Sequence, residues 1–280
     1  MAVRRTYWHL ASLGTKPNDY DIASSRLLYY PGRGFEVTTP LSAWYRDYQQ
    51  GSPFRADDWD AFRDPRETTY ASYVELQRAK EAFVDGILAS GRGRAVSPAW
   101  RDILARVLPA LRFPIHGLHM IAAYIGSMAP SGRITIACAF QAADEIRRIQ
   151  RFAYRTRELE LTDTGRHAWE HAGAWQPLRE LVERLLATRD WGEAFVALVL
   201  VKTRFDELFG TRFRELARIA GDDVLANILY SLGEDATWHA AWSGELLRFA
   251  TGNDVVIATW RERWQPLVTR AIHAAGEVLR

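Results

Sequence analysis

The 280-residue sequence predicts an all-α fold, a bundle of long helices preceded by an extended arm. Three observations carry that expectation. Apolar and aromatic residues recur at helical spacing, as at Phe140, Ala143, Ile146, Ile149, Phe152 and Ala153. Helix start and stop signals divide the chain after Asp64 into long segments joined by short connections. No segment alternates polar and apolar residues consistently enough to read as a strand. Four or more long helices with short loops bury their apolar faces against one another, which makes a bundle.

Two regions follow, an arm over residues 1–64 and a helical domain over 65–280. In the arm, Pro17, Pro31, Pro40 and Pro53 and Gly14, Gly32, Gly34 and Gly51 interrupt regular structure every few residues. It nevertheless carries Tyr7, Trp8, Tyr20, Tyr29, Tyr30, Trp44, Tyr45, Tyr48, Trp59 and Phe62, too many aromatics for a disordered tail. The expectation is an extended, ordered segment lying against protein, with one short helix over 41–50. With 11 tryptophans in the chain, part of this aromatic surface is either packed on its own domain or presented to another protein. Tyr7, Trp8, Trp44, Tyr45 and Trp59 are the candidates for partner contact.

Asp64-Pro65 reads as a cap with a first-turn proline and predicts a helix to about Leu88. Ser97-Pro98 repeats that signal for a helix to about Met128, bent near Pro114. After the turn 129–132 a third helix runs to about Leu161. A loop carrying His167, Trp169, His171 and Trp175 precedes a shorter helix over 176–188. Asp190 caps the next segment, which runs to about Ala220 and is apolar all round at 194–201, so it is expected at the centre. Helices over 224–250 and 255–279 follow, the last one kinked at Pro266.

A net charge of +2 marks no nucleic-acid partner, and the arginines of 147–157 are flanked by the acids Asp144, Glu145, Glu158 and Glu160. A single cysteine, Cys138, excludes an internal disulfide and a cysteine-rich zinc site, and its apolar neighbours predict a packed thiol. The start of the chain lacks the apolar run of a signal peptide, and no run of about 18 apolar residues would span a membrane. A cytoplasmic protein is expected.

The stretch Ala139–Leu161 organises the rest. Glu-x-x-His on a helix offers two ligands to a pair of irons. Here Glu145 supplies the carboxylate, but Arg148 stands three residues on, and arginine cannot lose its proton to bind a metal. This helix looks like a metal-binding helix that has been switched off. Other candidates are weaker. His116 and His119 lack a matched acid and are expected to be packed or hydrogen-bonded. His167 and His171 read as a surface pair, and Gly32-Arg33-Gly34 lacks the strand and helix of a phosphate-binding loop. No serine or cysteine nucleophile shows a triad pattern.

The segments YDIASSRLLYY (20–30), SPFRADDWDAFRDP (52–65), LRFPIHGLHM (111–120), YIGSMAPSG (124–132), FQAADEIRRIQRFAYRTRELEL (140–161), DWGEAFVALVLV (190–201) and WRERWQPL (260–267) span most of the chain. In them the sequence resembles the β subunit of bacterial multicomponent diiron monooxygenase hydroxylases, a family acting on toluene, phenol, alkenes, propane and methane. The resemblance implies a ferritin-like helical bundle that holds no metal of its own, with two irons in a catalytic α subunit. It further implies a γ subunit, an effector protein, and a reductase or ferredoxin that carries electrons from NADH through FAD and iron–sulfur centres. The implied assembly is α2β2γ2, with no nucleic acid and no membrane, and the implied substrate is an aromatic, alkene or short alkane hydrocarbon.

A ferritin-like diiron site needs a lone glutamate from each of two helices and a Glu-x-x-His pair from each of two others. Glu145 and Arg148 stand at the first pair and Ala236 and His239 at the second, while the lone-glutamate positions of the catalytic relatives fall near Ile115 and Lys202. Four of the six positions are therefore apolar or cationic. A buried carboxylate without a partner is costly, so Glu145 is expected to pair with Arg148, Lys202 or both. The competing readings are a non-enzymatic helical adaptor of ferritin-like ancestry and a diiron protein with atypical ligands.

Overall fold

The computed structural model describes residues 7–26, 40–91, 93 and 95–280, and among them there is no strand. Eleven α-helices are found among these residues: α1 (Asp19–Arg26), α2 (Pro40–Tyr45), α3 (Tyr70–Ala89), α4 (Pro98–Met128), α5 (Gly132–Glu158), α6 (Gly165–His171), α7 (Gln176–Leu186), α8 (Trp191–Asp206), α9 (Phe213–Ile219), α10 (Asp223–Phe249) and α11 (Asp254–Gly276). None of them is long and apolar enough to cross a membrane.

The long helices begin where side chains satisfy their first free amides. Ser97 accepts from Trp100 N at 3.3 Å, Ser131 from Arg133 N, Asp190 from Glu193 N and Asp222 from Leu225 N. Asp64 does not cap α3, as the sequence led one to expect. Its carboxylate accepts from Arg66 N, Thr68 N and the buried Trp238 indole N–H, which pins the incoming chain to α10. Glu67 then adopts a positive φ of 47°, and Thr69 and Ser72 open α3 with a reciprocal capping box.

The predicted loop carrying His167 and Trp169 is in part a short helix, α6. Gly165 sits where an added Cβ would lie 2.2 Å from the Pro109 carbonyl oxygen, so a glycine is what allows this approach to α4. The predicted single helix 191–220 is split. A π-helical segment, Glu207–Arg212, separates α8 from α9 and widens the backbone there.

Helices α4, α5, α8 and α10 form the central layer, with α4 against α5 and α8, and α10 against α5 and α8. Helix α11 closes one side over α7 and α8, and α3 lies along α10. Ala194, Phe195, Ala197 and Val201 of α8 are fully buried, as their all-round apolar pattern implied.

The arm packs on this layer. Phe54 and Phe62 are in the core, and Trp59 packs against Phe54, Trp191 and Phe249 at 5.5, 5.2 and 6.3 Å between ring centroids, edge-on to Trp191 and tilted against the other two. Short helices, α1 and 3-10 turns at Trp8–Leu13 and Trp59–Ala61, interrupt its extended course. Asn18 and Asp21 exchange side-chain-to-backbone hydrogen bonds and so start α1. The expected helix over 41–50 is α2 continued by a π-helical turn, Arg46–Gln50. Tyr29 and Tyr30, and the Gly32-Arg33-Gly34 motif, lie outside the described residues, as does the Trp8 side chain.

Candidate functional site

Helices α5, α8 and α10 of the central layer, together with α3, contribute to one polar cluster in the bundle interior. Helix α5 is amphipathic in an unusual sense. Its most buried row is Gln141, Asp144, Glu145, Arg148, Phe152 and Arg155, whereas Ala143 is exposed and Ile146 and Ile149 are half-buried. The apolar stripe read from the sequence is thus not the deepest face of this helix. The charged residues are turned inward because partners on α3, α8 and α10 meet them there.

Glu145, 1% exposed, receives a direct ion pair from Lys202 Nζ of α8. Arg148 Nη1 stands 3.6 Å from Glu145 Oε2 and donates to Asp206 Oδ1 at 2.7 Å. Lys202 reaches the same Asp206 carboxylate at 3.0 Å, one helical turn along α8. Burial alone would raise Asp206, but the positive charges of Arg148 and Lys202 outweigh it and hold the carboxyl well below the usual range. Ile115 fills its position on α4 as a fully buried hydrophobe, and Ala236 on α10 brings no ligand atom.

His239 Nε2 stands 3.0 Å from Asp144 Oδ2, and its Nδ1 is 4.0 Å from Glu145 Oε1 without a hydrogen-bond partner. Tyr73 O–H and Gln77 Nε2 both donate to the other oxygen of Asp144, at 2.7 and 2.8 Å. Burial raises the Asp144 carboxyl despite the hydrogen bond from His239. Asp235 of α10 is held by Lys80 at 2.5 Å, Arg147 at 2.6 Å and Gln77 at 2.9 Å. Burial opposes its ionisation, and the charges of Arg147 and Lys80 overcome that and lower it. Arg147 also bonds Glu81 and Ser231, and Arg151 bridges Glu81 and Asp85.

Three acids, Glu145, Asp206 and Asp235, thus face four cations, Lys80, Arg147, Arg148 and Lys202, while Asp144 is held by His239, Tyr73 and Gln77. The cluster ties α3, α5, α8 and α10 together, and a charge-assisted pair inside a protein is stronger than one in water. The donor set does not suit iron. An ammonium and a guanidinium occupy the centre and engage Glu145 and Asp206, and among the described residues no group of three His, Cys, Asp or Glu is arranged to hold a metal ion.

The structure brings together Glu145, Arg148, Lys202 and His239. Sequence reasoning missed Asp206, although its i,i+4 spacing from Lys202 was a usable signal. It also missed the roles of Lys80, Tyr73 and Gln77, which no local spacing connects to α5. His119 Nδ1 is 3.0 Å from the Ala142 carbonyl, while His116 is exposed and stacks on it. His167 and His171 are adjacent on the surface of α6. Burial pushes the Cys138 thiol up, so it is a packed side chain.

The aromatic candidates of the arm are placed separately. Trp59 is half-buried in the aromatic cluster above, Trp44 donates to Tyr124 Oη at 3.1 Å, and Tyr45 donates to the Ser127 carbonyl at 2.9 Å. Trp44 remains 36% exposed beneath the Arg189 guanidinium. Tyr7 is half-buried.

Long helices packed around a buried cluster of ion pairs define an all-α, ferritin-like bundle. The family model for methane/phenol/alkene hydroxylase matches residues 44–254, and the chain belongs to that family. It is 37% identical to the β subunit of the hydroxylase component of the toluene-4-monooxygenase system of Ectopseudomonas mendocina, over 96% of this chain and 89% of that protein. It is 27% identical to the small subunit of the propane 2-monooxygenase hydroxylase component of Rhodococcus jostii (strain RHA1), over 81% of this chain and 67% of that protein. A solved structure of toluene 4-monooxygenase, with toluene in its resting active site, contains a chain that superposes with a TM-score of 0.92. That chain is 35% identical, and the match covers 100% of this chain and 98% of it.

Proposed function

We propose that this chain is the structural, non-catalytic β subunit of a soluble diiron monooxygenase hydroxylase. The observation that carries this reading is the buried Lys202–Glu145 ion pair, which supports the assignment of Ile115, Arg148, Lys202 and Ala236 to the positions where the resemblance implies metal ligands in the catalytic relatives. A bundle so filled is rigid without a metal ion. It supplies a stiff surface against which a catalytic α subunit holds its own helices.

In this reading the two irons and the substrate pocket belong to α, and the complex inserts one oxygen atom of O2 into a hydrocarbon with electrons derived from NADH. Relatives named for toluene and propane support an aromatic or short-chain hydrocarbon as substrate. A γ subunit, an effector protein and a reductase or ferredoxin complete the system as α2β2γ2 in the cytoplasm. The arm contributes to both folding and docking. Phe54, Phe62 and Asp64 belong to the core, so removing residues 1–64 would unfold the domain. Trp44 is an exposed aromatic of the arm available to a partner, beside the exposed Leu41.

The test is co-expression with a candidate α subunit. Hydroxylation is expected only when both chains are present, and Trp44→Ala is expected to weaken their co-purification while leaving the circular dichroism of this chain unchanged. An α subunit that assembles and turns over normally without this chain would overturn the reading.

A further inference from the structure

A cavity of about 400 Å3 opens between α8 and α10 beside the ion-pair cluster, within the size range of small-molecule sites. Its walls are apolar, with Phe195, Leu198, Phe209, Leu229, Leu232 and Trp242 among them. Arg148, Lys202, Asp206 and His239 of the ion-pair cluster are among the polar groups that line it. The π-helical segment Glu207–Arg212 forms one end and brings Phe209 into the wall, and such segments are frequent at binding sites.

The partners of those polar groups decide what the cavity accepts. Lys202, Arg148 and Asp206 are engaged with one another and with Glu145. His239 is not fully satisfied. Its ring is 3% exposed and its Nδ1 has no hydrogen-bond partner; in the tautomer that donates Nε2–H to Asp144, Nδ1 is an acceptor. Glu145 Oε2 is another buried acceptor without a hydrogen-bond donor, but Glu145 does not line the cavity. Unpartnered buried acceptors favour a ligand that donates, and an apolar enclosure favours a body with little polarity.

We propose that this cavity is a binding site for a small apolar molecule carrying one hydroxyl group, an alcohol or phenol, whose O–H is donated to His239 Nδ1. The site lies in this chain alone and does not depend on the chain's being a hydroxylase subunit.

The test is calorimetric titration of the full chain with phenol, and with toluene as a body of similar size lacking the hydroxyl. Saturable binding of phenol at one site is expected, with toluene bound about threefold to tenfold more weakly, the usual contribution of one neutral hydrogen bond. Thr203→Trp on α8 and Ala240→Trp on α10 place an indole at the two exposed rims of the cavity, and each is expected to abolish binding. Because both positions are at the surface, an unchanged circular dichroism spectrum separates blockage from unfolding. The proposal is overturned by no saturable phenol binding, by equal affinity for phenol and toluene, or by phenol binding that survives in both folded variants. Failure here leaves the subunit reading intact, and failure of co-assembly with α leaves this site intact.

Discussion

Replacing Lys202 by methionine removes one charge from the centre of the bundle while keeping most of the side chain's apolar volume. Glu145 is then left 1% exposed, and its nearest remaining cation is Arg148 at 3.6 Å. At an effective dielectric of about 20, a unit charge at that distance contributes about 4–5 kcal/mol before desolvation. Arg148 is also shared with Asp206 at 2.7 Å, so it compensates for Lys202 only in part. Breaking a buried pair from one side costs about 3–5 kcal/mol, and the partial cover by Arg148 puts Lys202→Met near the lower end, about 3 kcal/mol. The double variant Glu145→Leu/Lys202→Met removes both charges, leaves Arg148 on Asp206, and is expected within about 1 kcal/mol of the wild type or more stable. Urea unfolding with an unchanged slope measures both differences. A single variant that loses less than about 1 kcal/mol, or a double variant as unstable as the single one, would refute the claim that Lys202 is present to neutralise Glu145.

Acid sensitivity follows from the same cluster. The folded state holds Asp206 and Asp235 below the unfolded carboxyl value, so their contribution is complete above about pH 4 and is lost as pH falls through their lowered values. Stability is therefore expected to drop on acidification, with a shallower drop in Asp206→Asn; identical acid profiles would contradict the assignment. Phe54→Ala is expected to cost about 3–5 kcal/mol in chemical denaturation, because its ring sits in the aromatic cluster on α8. An added Cβ at Gly192 would lie 2.4 Å from Phe54 Cβ, so Gly192→Ala is expected to destabilise by about 1–3 kcal/mol, and a neutral result would place the arm elsewhere.

The sequence announced the helices through their capping side chains. Ser97-Pro98, Ser131, Asp190 and Asp222 are local signals, and α4, α5, α8 and α10 begin beside them. Asp64 carries the same signal but bonds Trp238, which is 174 positions away, and tertiary structure overrides the local preference. The split of 191–220 by a π-helical segment left no mark in the apolar pattern, because a π turn needs only one added residue per turn.

Glu145, Arg148, Lys202 and His239 could be placed on one site because the family resemblance supplies the ligand positions. The rest of the cluster could not. Lys80 and Asp235 meet across 155 positions and Arg147 and Asp235 across 88, with nothing local to link them. The apolar stripe on α5 misled for a physical reason. Periodicity shows which residues share a face, but that face is buried only if its neighbours are closer than those of the charged face. Here Tyr73, Gln77, Lys80 and Glu81 of α3 cover the charged side.

The most direct test of the bracing-subunit account is iron content, measured on this chain purified alone and again after co-expression with its α subunit. The account predicts no bound iron in the isolated chain and about two irons per αβ pair in an active complex. Stoichiometric iron in the isolated chain would contradict it, because Lys202 and Arg148 would then have to leave the centre they hold.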